Sequence, residues 1–464
     1  MRRILIGIIG VCLIGAVAAP AAAEDFYGDI RPVLVRHCAT CHTAGGIGWS
    51  MDDPEQTYAR RQAIATAILS RQMPPWLAEP GHQKYLDDPT LAPDLLQLVD
   101  RWRAGGFQKG APASTRPPAN ADVTASHQTH AFAPDVSVPV LPGGSYLPNQ
   151  ARPDDYRCFV VDWPAERPTY ITGFRAVPGN RLVAHHLVVY AVAPEMLSRF
   201  RELDDAEDGP GYQCFGGAVP DRLSRQADRA AYEARHPGGL AELNLGSFWL
   251  AHWAPGMDGH QFPAGTGIRI ARGAGLVVQM HYYNGTAPGQ RDAGTRMEFR
   301  VADAVERPAL HFSQTQNAWL NGERNRSMVI PAGGMATYDV SNTLGELLPR
   351  IARITGVDLA RISGLEVHSV NLHMHGIGDS GAITLRDGNK PAETLLSVPR
   401  WDLRWQRDFT LAQPRIFSRD ELPATVLRVQ CTYRNPKDRP VYGGYGSDEE
   451  MCFNFAYIAV RSDR

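Results

Sequence analysis

Ten side chains combine residue type and spacing in ways that could support redox chemistry. Cys38-Ala39-Thr40-Cys41-His42 is a C-x-x-C-H string. At this spacing two cysteines can form thioethers to the vinyl groups of a haem c while the histidine ligates the iron. A thioredoxin-like redox pair is the other use of C-x-x-C, but no βαβ pattern surrounds it. A haem c needs a sixth ligand or an open position. Met73, in Gln72-Met73-Pro74-Pro75-Trp76, is the candidate, with Met51 second. A thioether ligand raises the haem potential and suits electron transfer rather than oxygen chemistry.

The other candidates are His185-His186, His281, His373-x-His375 and Met451. On a strand, residues i and i+2 share a face, so His373 and His375 can reach one metal. Met451 adds a soft thioether, which together with imidazoles selects copper over zinc or iron. His185 and His186 are adjacent, so on a regular strand they face opposite sides. Joint ligation by both needs a bend, a bulge or the use of different ring nitrogens. His281 closes an apolar run in Gln279-Met280-His281-Tyr282-Tyr283. Taken singly, His281, Met451 and either of the paired histidines read as ordinary core residues.

These residues must be held by at least three kinds of segment. Residues 1–23 have a charged start, an apolar run and a small-residue exit, the layout of a secretory signal. The expected mature chain begins at Glu24 and is periplasmic or secreted, where disulfides persist. Residues 24–110 read as a small all-α domain: Leu91, Leu95, Leu98, Val99 and Trp102 recur at helical spacing, with Gly105-Gly106 as the stop. Residues 111–134 have linker composition, and His127 and His130 within them read as solvated. From about 135 onward, short apolar runs between Gly/Pro turns imply all-β sandwich or jelly-roll architecture, with 44 glycines and 35 prolines in the chain. Helical stretches are expected at Leu203–Arg235 and Thr343–Thr355. Beyond the haem motif and Cys12 of the signal, four of the seven cysteines remain. Three connectivities are open to them, and proximity favours Cys158–Cys214 and Cys431–Cys452. A Cys431–Cys452 bridge would hold Met451 in place. The net charge of −2 argues against nucleic-acid binding. No apolar stretch after the signal is long enough to span a membrane.

Two resemblances follow from these residues. Tyr27-Gly28-Asp29-Ile30, the haem motif and Trp102 resemble class I cytochrome c domains over about 80 residues. Ala184-His185-His186-Leu187, Val278-Gln279-Met280-His281-Tyr282, Leu372-His373-Met374-His375 and Glu449-Glu450-Met451-Cys452 are similar, in order and spacing, to motifs of the copper type II ascorbate-dependent monooxygenases. Cys158, Cys214, Trp253-Ala254-Pro255-Gly256, Phe262-Pro263-Ala264-Gly265 and Cys431-Thr432-Tyr433 extend the likeness, which covers roughly residues 150–460. It implies two sandwich-like copper domains, at 135–300 and 301–464, each carrying one copper ion. His185, His186 and His281 would match the electron-transfer copper. His373, His375 and Met451 would match the copper at which O2 and substrate react. The implied reaction hydroxylates an sp³ C–H bond of a small organic substrate: one oxygen atom enters the substrate and the other leaves as water. Two electrons are needed per turnover, drawn in the family from ascorbate.

Two departures shape the expectation. The fused haem c is expected to supply electrons to the copper of His185, His186 and His281, with ascorbate or a redox protein as the external donor. Peptide-hydroxylating members carry an arginine two residues before the H-x-H pair and a tyrosine four after the methionine. Here those positions are Asn371 and Phe455, so a peptide carboxylate lacks its cationic partner. A less charged substrate is expected. The alternative is a haem c/copper electron-transfer protein that hydroxylates nothing, which the intact ligand set disfavours. A nitrite-reductase-type centre would need a thiolate ligand, and a polysaccharide monooxygenase a histidine as the first mature residue.

Overall fold

The structure is a computed structural model that describes residues 23–39, 41–43, 49–86, 88–112, 132–214, 217–253, 259–285, 287–316, 318–320, 327–444 and 448–463. The signal up to residue 22 and most of the expected linker, with His127 and His130, lie outside the described residues.

The first part of the chain is helical. A π-turn at Phe26–Ile30 runs into the helix Arg31–His37, followed by Pro54–Ala59, Arg61–Leu69 and Pro93–Ala104. The last matches the expected periodicity, with proline at its start and Gly105 at its end. Phe26, Ile30, Leu34, Ile64, Ile68, Val99 and Trp102 close a small core.

Between the helices Arg61–Leu69 and Pro93–Ala104 the chain leaves its own core. Residues 76–86 lie along the opening between two later strands, Glu393–Val398 and Phe409–Ser418. The Glu79 amide donates to the Ser397 carbonyl (2.8 Å), the Leu86 amide to Thr410 (2.9 Å), and the Ala412 amide to Lys84 (2.8 Å). The Tyr85 hydroxyl donates to the Leu395 carbonyl at 2.8 Å. Ala78 is buried in the C-terminal core, and Trp76, Leu77 and Tyr85 pack against it. This strap makes the helical unit part of the C-terminal sandwich.

The remainder is built of mostly antiparallel sheets. One has five strands in the order Tyr212–Gln213, Asp154–Asp162, Gly275–Tyr283, Ala184–Val192, Ser247–Trp253. A four-stranded sheet has the order Met335–Thr343, Thr425–Arg434, Gly378–Asp387, Glu393–Val398. A nine-stranded sheet backs both. It does not break at residue 301: Arg307–Gln314 pairs in parallel with Thr266–Ile270 on one side and antiparallel with Phe453–Ser462 on the other. The two halves are therefore tied by backbone hydrogen bonds.

The expected helix over Leu203–Arg235 is divided. Helices Pro194–Asp205 and Gln226–Arg235 flank a turn and the short strand Tyr212–Gln213. Gly209-Pro210-Gly211 breaks the helix, and Gly211 has φ 73°, with room for no Cβ because the Cys158 carbonyl oxygen would lie 2.4 Å away. The helix Leu344–Thr355 forms as expected, capped by Thr343 and Glu346. Both expected disulfides, Cys158–Cys214 and Cys431–Cys452, are present.

Replacing Tyr85 by Phe should cost about 1 kcal/mol of equilibrium stability, because the Leu395 carbonyl loses its donor in a mostly buried setting. Denaturant unfolding curves that superimpose on wild type would show the strap to be undocked in solution.

Candidate metal centre

Three strands build the first histidine set. In the ladder between Gly275–Tyr283 and Ala184–Val192, His281 pairs with His186 and Tyr282 with Ala184. His185 is the extra residue of that bulge, which removes the obstacle posed by two adjacent histidines. Their ligand atoms lie within 4.8 Å of one another. The Nδ1 of His186 is 3.2 Å from the Nδ1 of His185 and 3.2 Å from that of His281. On the far side of the His281 ring, Nε2 meets the Asp154 carboxylate at 2.8 Å. That contact holds the proton on Nε2 and leaves the Nδ1 lone pair aimed at the other two rings. Ligand atoms of three imidazoles converging this closely form a donor set that could hold a metal ion. Tyr156 stacks on His281 with ring centres 4.1 Å apart and planes 4° apart, which fixes the ring. Cys158, two residues further along the same strand, is clamped to Cys214.

The second set lies at the end of another strand. Ile362–His373 ends at His373, and His375 follows beyond it rather than within a regular strand. Their rings stand 5.3 Å apart at 87°. His373 Nδ1 is held by the Gln406 amide oxygen. His375 Nδ1 lies 2.9 Å from the Glu449 carbonyl. Each ring thus has Nε2 left for a ligand role, and the Met451 sulfur is 3.0 Å from His373 Nε2. Two nitrogens and a thioether form a donor set that suits copper. Glu450 accepts from the His375 amide (2.8 Å) with one carboxylate oxygen and from the Ile377 amide (2.7 Å) with the other. The Tyr433 hydroxyl and the Cys431–Cys452 bridge anchor the backbone of Met451.

Burial favours the neutral form of His185, His186 and His373. His186 is held well below its usual value by burial and then by His281 and His185, with smaller effects from His373 and His252. His373 is lowered to about 3 by burial and then by His375. Neutral imidazole is the ligating form.

Several contributors were invisible in the sequence. Asp154 and Gln406 orient ligands, yet neither sits in a motif. His252, whose place beside Trp253 makes it a candidate for orienting a ligand, gathers with His260 and His311 near Asp408. The His252 Nε2 lies 3.5 Å from the Asp408 carboxylate, whose other oxygen accepts from Asn371 Nδ2 at 2.9 Å. Burial alone would raise Asp408, but His252, His311 and Asn371 outweigh it and leave it lowered. His368 instead bonds Glu366 at 3.0 Å, part of a structural ion cluster with Arg307. Beside His373, Phe453 and Phe455 stack with centres 5.4 Å apart, and Trp249 packs on Phe455 at 4.3 Å.

In the helical unit, Cys38 and Cys41 stand outside both disulfides. Burial, and then Cys41, push the Cys38 thiol up to about 12. A thioredoxin-like nucleophile needs the opposite shift. His42 Nδ1 lies 3.0 Å from the Trp49 carbonyl, leaving Nε2 for iron. A cavity beside the motif is lined by Leu34, Val35, Ala39 and Met51 together with Arg31, Asp52 and Thr57. Two cysteines outside the disulfides and an imidazole are the donor set that a covalent haem c would require. Met73 sits half-buried where the strap begins.

Residues 354–462 match the family model of the copper type II ascorbate-dependent monooxygenase C-terminal domain. MOXD1 homolog 1 of Drosophila melanogaster is 23% identical over 214 residues, covering 44% of this chain. Both matches support the copper monooxygenase family. The 354–462 segment contains His373, His375, Met451 and both cysteines of the second disulfide. The chain spans only 28% of the length of that relative. Among solved structures, the major capsid protein P2 of bacteriophage PM2 aligns over 71% of this chain and 98% of its own, at 8% identity and a TM-score of 0.23. A peptide-N(4)-(N-acetyl-β-D-glucosaminyl)asparagine amidase aligns over 71% and 97%, at 8% identity and 0.26. Both scores are too low to bear on fold or chemistry.

The anchoring and the burial can each be tested. Glu450→Ala leaves two buried amides without acceptors, each costing about 1–3 kcal/mol. It should weaken copper binding by His373, His375 and Met451; copper titration showing binding there equal to wild type would contradict the role of Glu450. For the apo-protein, the unfolded imidazole takes its proton near 6.5 and folded His373 only near about 3. The stability contributed by neutral His373 is therefore full above 6.5 and is lost as pH falls toward 3. His373→Phe should flatten the dependence of the urea midpoint on pH across that window.

Proposed function

We propose that the chain is a periplasmic or secreted copper-dependent monooxygenase that hydroxylates an sp³ C–H bond of a small organic substrate with O2. On this reading it binds two copper ions and one covalent haem c, and it draws electrons from an external donor, ascorbate or a redox protein, through the haem. The observation that carries the reading is the presence of two separate and unlike donor sets, three imidazole Nδ1 atoms in one and two imidazoles with a thioether in the other. A three-nitrogen site suits storage and delivery of an electron. A site with a thioether favours the cuprous state, the state that reacts with O2.

The copper bound by His373, His375 and Met451 supplies the oxidising chemistry. The protein's own residues arrange it. Gln406 and the Glu449 carbonyl hold both Nδ1–H groups, so the rings cannot turn. Phe453, Phe455 and Trp249 present an aromatic wall beside His373 and keep water from that side. Asn371, where peptide-hydroxylating members place arginine, is engaged by Asp408. A substrate carboxylate would meet that anion instead of a cation, so an uncharged or cationic substrate with an apolar reacting carbon fits best. The nine-stranded sheet carries His373, while His185, His186 and His281 lie on the five-stranded sheet that it backs.

The test is the copper-to-haem ratio of the exported, copper-loaded protein, followed by a screen for O2-dependent product with labelled oxygen. Two coppers per haem and one labelled oxygen atom in the product support the reading. Two coppers per haem with no oxygenated product from any of a broad set of aromatic and aliphatic compounds would favour the electron-transfer alternative. A ratio near zero would overturn both.

A further inference from the structure

The family resemblance places electron entry at the copper of His185, His186 and His281. The contacts of the helical unit point elsewhere. The hydrogen bonds of Glu79, Gln83, Lys84, Tyr85 and Leu86 run to residues 393–412, in the half of the sandwich that carries His373. Trp76 is the largest side chain of this strap. Its ring meets the Phe409 ring edge-on, centres 4.9 Å apart at 63°. The Arg407 guanidinium also lies over the indole, 5.2 Å from the ring centre. Arg407 is covalently joined to Gln406, and Gln406 accepts from His373 Nδ1. The indole is thus linked to a ligand of the second donor set through its contact with the Arg407 guanidinium, the side-chain and main-chain bonds of Arg407 and Gln406, and the hydrogen bond between Gln406 and His373. In the other direction, Trp76 is three residues from Met73, the expected sixth haem ligand, and seven from Leu69, the last residue of the helix Arg61–Leu69.

We infer that the helical unit delivers its electron to the copper held by His373, His375 and Met451, with Trp76 as the relay, rather than to the copper held by His185, His186 and His281. This rests on the haem and copper reading above. The step moves one electron and no atoms: ferrous haem becomes ferric and cupric copper becomes cuprous. Tunnelling falls off steeply with distance and is slower through gaps than through bonds, so a docked strap with an indole at its head is a better conductor than a linker. Trp76 is a positioning and relay residue, and it touches neither substrate nor O2. A donor fixed at this copper would let the haem prepare the O2-reacting site directly, leaving the three-histidine copper to supply the second electron.

The experiment uses the full-length protein with haem and copper, in two single-copper forms. His281→Ala retains the thioether site, and His375→Ala retains the three-histidine site. The haem is reduced without O2 or substrate and mixed with the cupric form. Its reoxidation is followed by visible absorbance, and the loss of the cupric signal by electron paramagnetic resonance. The inference expects fast reoxidation only in His281→Ala. Trp76→Leu in that background should slow it about tenfold or more, the equivalent of at least about 1.4 kcal/mol in barrier. Trp76→Phe, which keeps an aromatic ring, should slow it less. Arg407→Gln serves as the second variant if Trp76→Leu fails to fold. Reoxidation only in His375→Ala, or rates insensitive to both Trp76 and Arg407, would overturn the inference while leaving the monooxygenase reading intact. Protein that binds copper but carries no haem would overturn the haem reading, and this inference with it.

Discussion

An imidazole that is to hold a metal must be neutral and must keep its free nitrogen pointed at one place. Burial meets the first demand, because a charged ring in a sheet interior has no water to solvate it. A hydrogen bond to the other ring nitrogen meets the second. The same device recurs here with three different acceptors: the Asp154 carboxylate for His281, the Gln406 amide for His373 and the Glu449 carbonyl for His375. His42, at the end of the haem motif, uses a fourth, the Trp49 carbonyl. The surrounding sheets, bulge and disulfides put these acceptors within reach.

The strand positions explain why the sheets can do this. The pairing of Gly275–Tyr283 with both Asp154–Asp162 and Ala184–Val192 places His281 between Tyr156 on one neighbour and His186 on the other. Tyr156 fixes the ring by stacking, and Asp154, two residues earlier on the same strand, reaches its Nε2. In the second set the anchor is Glu450, which ties the chain on both sides of Gly376, at His375 and Ile377, to the segment bearing Met451. That carboxyl is raised by its burial to about 7, with three backbone donors offsetting part of the cost.

Much of this was legible in the sequence because the ligands themselves carry distinctive spacing. The H-x-H pair, the C-x-x-C-H string and the methionine beside a cysteine each name a chemistry. The β-rich character and both disulfides could also be read, from short apolar runs and from proximity along the chain. The bulge at His185 was only one of several routes open to two adjacent histidines, since nothing local distinguishes the residue that leaves the ladder. Gln406 and Asp154 were not legible, because an orienting partner depends on where a distant strand passes. The strap was also hidden: Gln72-Met73-Pro74-Pro75-Trp76 stands out in the sequence only for Met73, and only the tertiary fold shows that residues from Trp76 onward fill the edge of another core. The break in the helix expected over Leu203–Arg235 comes from Gly209-Pro210-Gly211, a signal that was present in the sequence but outweighed by the flanking helical pattern.

The central claim is that two unlike copper sites coexist, one with three nitrogens and one with two nitrogens and a thioether. X-ray absorption on the fully reduced, two-copper protein tests it most directly. The account predicts a sulfur shell of about half an atom per copper that disappears in Met451→Leu while the nitrogen shell of the other site remains. A spectrum fitted by nitrogen and oxygen alone, unchanged by that substitution, would contradict it.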